Sequence, residues 1–109
     1  TRFTHGSRIP ALMTYAMSKA AIDSFTATLA KHVAARGITV NAVGPGSTDT
    51  DMNAARLATE QGRAAVAAQS PFNRVAQPED IADIVAFLAS DDARWITGQW
   101  IDASGGSML

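Results

Sequence analysis

The 109-residue chain contains no cysteine, which excludes disulfides and thiolate metal sites and is compatible with a reducing compartment. Charged residues make up only 17% of it, and the formal net charge is -1. So weak a charge gives no electrostatic case for a nucleic acid or an anionic membrane surface as partner. Long apolar runs are missing too; none approaches the about 20 residues of a membrane span. No signal peptide opens the chain, and a cytoplasmic location is the expectation. An initiator Met is also lacking: the chain opens on Thr1-Arg2-Phe3-Thr4 and reads as a fragment. The shortage of charge points to surfaces covered by something else, such as another subunit.

What is present alternates helical and strand-like segments. Residues 1 to 12, with Gly6, Pro10 and the basic Arg2 and Arg8, read as a loop feeding a helix. From Met13 to Arg36 the pattern is helical and Ala-rich, and Gly37 closes it. A helical wheel places Tyr15, Lys19, Ile22, Leu29 and Val33 on the face expected to press on a core. Met13, Met17, Ala20, Ala21, Ser24, Ala27 and Thr28 occupy the other face, without charge, as if to pack against another helix. Ile38 to Val43 is a β-branched run ending at Gly44-Pro45-Gly46, a buried strand followed by a loop. Asp49 to Gln69 is a polar, Ala-rich helix or lid that Pro71 breaks. Pro78-Glu79-Asp80 starts a further helix with acidic residues in its first turn, where they suit the helix dipole. Ile81, Ile84, Val85 and Leu88 supply its apolar face, and Ser90-Asp91-Asp92 ends it. Trp95 to Ala103 is a last strand, interrupted at Thr97-Gly98 and closed by Ser104-Gly105-Gly106. Strands joined through helical crossovers imply an α/β fold with a parallel sheet.

Within the long helix, Tyr15 precedes Lys19 by four residues, so both side chains lie on one face, one turn apart. An ammonium stabilises phenolate, and a phenol, whose free pKa is near 10, needs such help to exchange protons at neutral pH. Two unit charges about 4 Å apart at an effective dielectric near 20 interact by about 4 kcal/mol, enough to matter. Taken alone, an aromatic beside a snorkelling Lys is also common helix surface.

The stretches Tyr15-Ala-Met-Ser-Lys19, Gly37-Ile-Thr-Val-Asn41-Ala-Val-Gly-Pro45-Gly46 and Thr48-Asp49-Thr50-Asp51-Met52 supply a wider pattern. Arg74-Val-Ala-Gln-Pro78-Glu79-Asp80, Ala86-Phe-Leu-Ala-Ser90-Asp91 and Trp95-Ile-Thr-Gly98-Gln-Trp-Ile-Asp102-Ala-Ser-Gly105-Gly106 continue it in order. In this series the chain resembles the C-terminal part of a classical short-chain dehydrogenase/reductase. The resemblance implies that residues 1-109 form the C-terminal segment of one doubly wound, Rossmann-like NAD(P)-binding domain whose N-terminal nucleotide-binding half is absent. It implies NAD or NADP as cofactor, hydride transfer to or from a carbonyl or alcohol substrate, and Tyr15 as general acid/base. Lys19 matches the residue that assists the tyrosine and binds the nicotinamide ribose. Pro45 and Gly46 match the turn beside the nicotinamide, and Thr48 the position whose backbone meets its carboxamide. Thr50 matches a hydroxyl near the carboxamide and phosphates. The expected assembly is a homo-oligomer, a dimer or a homotetramer.

Three family features have no match in the chain. Gly44-Pro45-Gly46 cannot stand for the glycine-rich phosphate turn, lacking a third glycine and an opening helix. The positions expected of the catalytic serine hold Arg2, Phe3 and Thr4, while Ser7 lies too near the tyrosine. The upstream asparagine falls outside the chain. A non-enzymatic truncated module, folding only by docking or oligomerisation, is therefore the competing reading. Asn41 reads as satisfying backbone groups. Thr48 and Asp51 serve equally well as turn and cap residues. Met52 and Phe72 could line a substrate pocket or fill a core. Trp95 and Trp100 could serve subunit contacts or core packing. His5 and His32 lack a metal-ligand companion, and a Ser7–His32–Asp triad lacks a nucleophile elbow. Substrate identity and the choice between NAD and NADP do not follow.

Overall fold

The structure is a computed structural model and describes residues 10–107 and Leu109. Expectations placed on residues 1–9, among them His5 and Ser7, lie outside the described residues. A short 3-10 turn, Pro10–Leu12, leads into α1, Met13–Val33. A second 3-10 turn, Ala34–Arg36, follows, and Gly37 closes it at φ 71, where its N–H donates to the Ala34 carbonyl at 2.9 Å. Only a residue without Cβ enters that left-handed region freely.

The inward face of α1 is rotated from the expected one. Thr26, Ala30 and Val33 are buried, and Ala16, Lys19, Asp23 and Leu29 are half-buried. Tyr15 and Ile22 remain 39% and 48% exposed. The cause is a close approach: Ala30 Cβ lies 3.5 Å from where a Cβ of Gly98 would sit. Small side chains let the helix settle there, whereas the bulkier Ile22 would hold it off. The uncharged face from Met13 to Thr28 is exposed, and among the described residues no other helix covers it.

The strand β1 is Ala42–Pro45, displaced from the expected Ile38 to Val43. It pairs in parallel with β2, Trp100–Ala103, in the register Ala42 to Trp100 and Pro45 to Ala103. Ala42 and Gly46 donate to the carbonyls of Gln99 and Ala103, so alternation turns Pro45 to the opposite edge, where its missing N–H costs nothing. Residues 38–41 are fastened otherwise. The Val40 N–H donates to the Thr97 hydroxyl, and Gly98 N–H donates to the Val40 carbonyl. Asn41 bridges the Ile96 carbonyl and the Gln99 N–H, as its backbone-satisfying reading required. Gly98, at φ 69, turns this partner segment, so the side-chain bonds take over there from a strand ladder.

Three helices make the crossover: α2, Ala54–Leu57; α3, Glu60–Ala67; and α4, Pro78–Leu88. A 3-10 turn, Asp51–Asn53, precedes them. The segment from Asp49 to Gln69, expected as a helix or lid, is split into two helices, because Thr59 adopts an extended conformation and caps α3 by accepting from the Gly62 N–H at 3.0 Å. Pro71 lies in a turn beyond α3, as expected of a breaker. At the start of α4, Asp80 accepts from the Gln77 N–H at 2.7 Å and takes a bidentate pair from Arg74 at 2.6 and 2.7 Å. Ile81, Ile84 and Leu88 are half-buried, whereas Val85 is 49% exposed.

The buried apolar residues are Ala30, Val33, Leu57, Val66, Ala93 and Ala103, with no large side chain fully enclosed among the described residues. Two expectations fail for that reason. β1 is only partly buried, since β2 is its one strand neighbour among the described residues. Trp95, Phe72 and Met52 fill no core: they are 96%, 72% and 85% exposed. The last strand begins at Trp100, not Trp95, because the turn at Gly98 separates the two tryptophans.

Candidate functional site

The first turns of α1 bring Tyr15 and Lys19 together. The ammonium nitrogen of Lys19 lies 5.3 Å from the centroid of the Tyr15 ring. Lys19 is half-buried on the inward stripe, and Tyr15 keeps an open edge to solvent. The Ser18 hydroxyl donates to the Tyr15 carbonyl at 2.7 Å, tying off the backbone there without engaging the phenol. A cation within about 6 Å of an aromatic face is attracted to it. This is the arrangement the spacing anticipated.

The second group lies at the carboxyl end of β1, a strand in contact with α1. Pro45 is exposed at the strand's end. Gly46 passes so close to β2 that an added Cβ would stand 2.9 Å from Ser104 Cα, a distance only glycine permits. Thr48 is buried, donates its hydroxyl to the Gly46 carbonyl at 3.2 Å, and forms a parallel bridge with Ala76. Asp49 N–H secures that bridge with a 2.8 Å bond to the Ala76 carbonyl. Thr50 is exposed, its hydroxyl 3.5 Å from the Thr48 carbonyl. Gly46, Thr48 and Thr50 therefore form one linked turn, and the turn reading of Thr48 is realised; Asp51 is exposed at the head of its 3-10 turn.

Two supports of this turn escaped the sequence reading. Asn53 donates its side-chain amide to the Thr48 carbonyl at 2.8 Å. Arg63 on α3 pairs with Asp49 at 2.7 Å. Fourteen residues separate that pair, and neither partner carries a local signature. His32 is exposed, and no cluster of three or more metal-ligating side chains occurs among the described residues. No helix among them is long and apolar enough to cross a membrane.

Comparison with known proteins places these motifs in context. The family model described as enoyl-(acyl carrier protein) reductase matches residues 2–108. A 3-oxoacyl-[acyl-carrier-protein] reductase of Pseudomonas aeruginosa is 48% identical over 95 residues, which are 87% of this chain and 38% of that protein. An uncharacterized oxidoreductase of Methylorubrum extorquens is 46% identical over 99 residues, 90% of this chain and 40% of the relative. The chain thus spans about two fifths of the length of these relatives. Among solved structures, a promiscuous reductase, LugOII, which catalyses keto-reduction at C1 in lugdunomycin biosynthesis, superposes with a TM-score of 0.87 and 41% identity. That match takes in 100% of this chain and 42% of that one. The angucycline C-6 ketoreductase LanV, solved with bound NADP, gives a TM-score of 0.83 and 44% identity over 100% of this chain and 41% of its own.

Proposed function

The chain belongs to the short-chain dehydrogenase/reductase family, and we propose that it carries the catalytic, carboxy-terminal part of an NAD(P)-dependent reductase acting on a carbonyl or alcohol. The partial α/β architecture, with its two parallel strands joined by helices, agrees with a segment of a Rossmann-like domain. The observation that carries the proposal is the Tyr15–Lys19 pair, 5.3 Å from ammonium to ring centroid at the open start of α1.

The donors present fit a nicotinamide nucleotide. The Lys19 ammonium offers hydrogen bonds to vicinal ribose hydroxyls, and the turn Pro45, Gly46, Thr48 and Thr50 offers backbone and hydroxyl groups at a strand's carboxyl end. The bound nicotinamide supplies the hydride chemistry. Tyr15 holds the proton: its hydroxyl gives the proton to a carbonyl oxygen during reduction, and its phenolate takes one from an alcohol in the reverse direction. Lys19 supports the phenolate form left behind by Coulomb attraction. Asn53 and the Asp49–Arg63 pair keep the turn in place while α2 and α3 cover the substrate side. Exposed Met13, Met17 and Phe25 along α1 support assembly as a homo-oligomer, a dimer or tetramer. NADP-bound LanV and the reductase relatives favour NADP or NAD as cofactor.

The test is Tyr15→Phe in the protein carrying its upstream half, which preserves the ring and deletes the hydroxyl. Turnover should fall by about 10²- to 10⁴-fold, the usual worth of positioned proton transfer. Turnover near wild type would reject the acid/base role.

A second reading rests on the thin core. With an apolar core of only Ala, Val and Leu and two strands paired among the described residues, the isolated 109-residue chain suits an inactive module that folds on docking or oligomerisation. Amide protection and quenching of NADH fluorescence by the isolated chain would argue against that reading. Absence of both would favour it.

A further inference from the structure

Residues 49–75 leave the sheet after Thr48 and return at Ala76, so the segment carrying α2 and α3 is an excursion closed at its base by the Thr48–Ala76 bridge. Its far end meets the turn that ends β2. The Ser70 hydroxyl donates to the Gly105 carbonyl at 2.5 Å and accepts from the Phe72 N–H at 3.2 Å. One hydroxyl therefore joins the end of the excursion to a residue 35 positions away and fixes the next bend of its own segment. Gly105 and Gly106 stand at φ 62 and 78, so the turn presents bare backbone to Ser70 and Pro71. A Cβ on Gly106 would come within 2.8 Å of Pro71 Cγ, and one on Gly105 within 3.1 Å of the Ser70 hydroxyl.

Behind this junction the two sides do not interdigitate. A cavity of about 340 Å³ opens there, lined by Val66, Gln69 and Ile84 on one side and Ala103 and Ser104 on the other. Ser104 is 6% exposed, and its hydroxyl has no hydrogen-bond partner among the described residues, as expected where the surfaces are joined by contact points and not by close packing.

We propose that Ser70 and the Gly105–Gly106 turn are positioning residues that hold the α2–α3 excursion closed, so that the end of β2 governs access to whatever the excursion covers. The clamp itself follows from the contacts above; the statement that it governs substrate access rests on the proposed reductase reading. Losing the Ser70 hydroxyl removes both of its bonds, including the one that fastens the far end to the turn after β2. Arg56 and Arg63, the basic residues of α2 and α3, are exposed side chains on helical backbone, and opening should let that backbone unwind into the extended form trypsin cuts.

Limited trypsinolysis of Ser70→Ala, in the protein with its upstream half and without cofactor or substrate, should cut at Arg56 and Arg63 about fivefold faster, the factor for one net hydrogen bond. Cleavage at Lys31 and Arg94, outside the excursion, should keep its wild-type rate. Ser70→Thr, which retains the hydroxyl, should restore protection. Gly106→Ala should add little once Ser70 is Ala, because both act on one junction. Unchanged cleavage at Arg56 and Arg63 would overturn the clamp, and so would a uniform rise at all sites, which is global loosening. A separate measurement judges access: KM for the carbonyl substrate should shift with the cleavage rate while the Tyr15-dependent step survives. Selective cleavage with KM unmoved would leave the clamp standing and refute the reading of residues 49–75 as the substrate's cover.

Discussion

Gly62→Ala sets two ordinary expectations against each other. Gly62 lies in the first turn of α3, and replacing a helical glycine by alanine stabilises by up to about 1 kcal/mol. Here, however, the added Cβ would stand 2.1 Å from the Arg56 carbonyl oxygen and 3.1 Å from the Thr59 hydroxyl. The first neighbour is backbone, so relief means prying α2 from α3. Such overpacking costs about 1–3 kcal/mol. The second neighbour is the cap of α3, whose loss costs about 1 kcal/mol more. Setting these against the propensity gain leaves a net destabilisation of about 2 kcal/mol. Hydrogen exchange is the suitable assay, because the effect is local: amides of residues 54–67 should exchange roughly 30-fold faster, at about 1.4 kcal/mol per decade. Amides of α1 should keep their rates. An alanine that slows exchange or leaves it unchanged would refute the steric reasoning and show that propensity prevails.

Three further outcomes concern Asp80, Lys19 and Trp95. Asp80, held by Arg74 and the Gln77 N–H, has its carboxyl lowered from 3.8 to about 2. A depressed folded value contributes stability that is present above about pH 4 and is lost as pH falls toward 2. Urea midpoints across that window should drop in the wild type and flatten in Asp80→Asn. Lys19→Met should lower both turnover and affinity for the nicotinamide cofactor, measured by NADPH fluorescence titration; a loss confined to turnover would refute the ribose contact. Trp95, 96% exposed, should be quenched by acrylamide, and Trp95→Phe should remove the readily quenched emission.

The parts of this molecule that were legible in the sequence are those encoded within one or two turns of chain. The Tyr15–Lys19 pair follows from helical spacing, the Gly37 stop from its left-handed conformation, and the start of α4 from Pro78 followed by acidic residues. Asn41 was legible because an amide withdrawn from water must find backbone partners, and this half-buried one does. What escaped was set by remote geometry. The phase of α1 depends on Ala30 meeting Gly98, a contact that no wheel contains. The start of β1 depends on where β2 lies, since residues 38–41 are equally β-prone yet face a turn. Within the candidate site, Gly46 and Thr48 could be named from the motif, but the Asn53 and Arg63 supports could not. Phe72 and Met52 looked like core on hydrophobicity alone, and both are largely exposed here.

The seat of the Trp100 indole on the neighbouring strand carries a consequence for how this pair of strands can vary. A Cβ at position 44 would fall 2.3 Å from Cζ2 of that ring, and Ala42, Val43 and Pro45 each bear one. Gly44 is thus the only position within β1 that admits the indole, which makes the ring a gauge of alignment: a slip of one residue either way would bring Val43 or Pro45 against it. Positions 44 and 100 accordingly share one volume and one fate. A side chain gained at the first must be matched by atoms shed at the second, and the two sites can drift only as a couple.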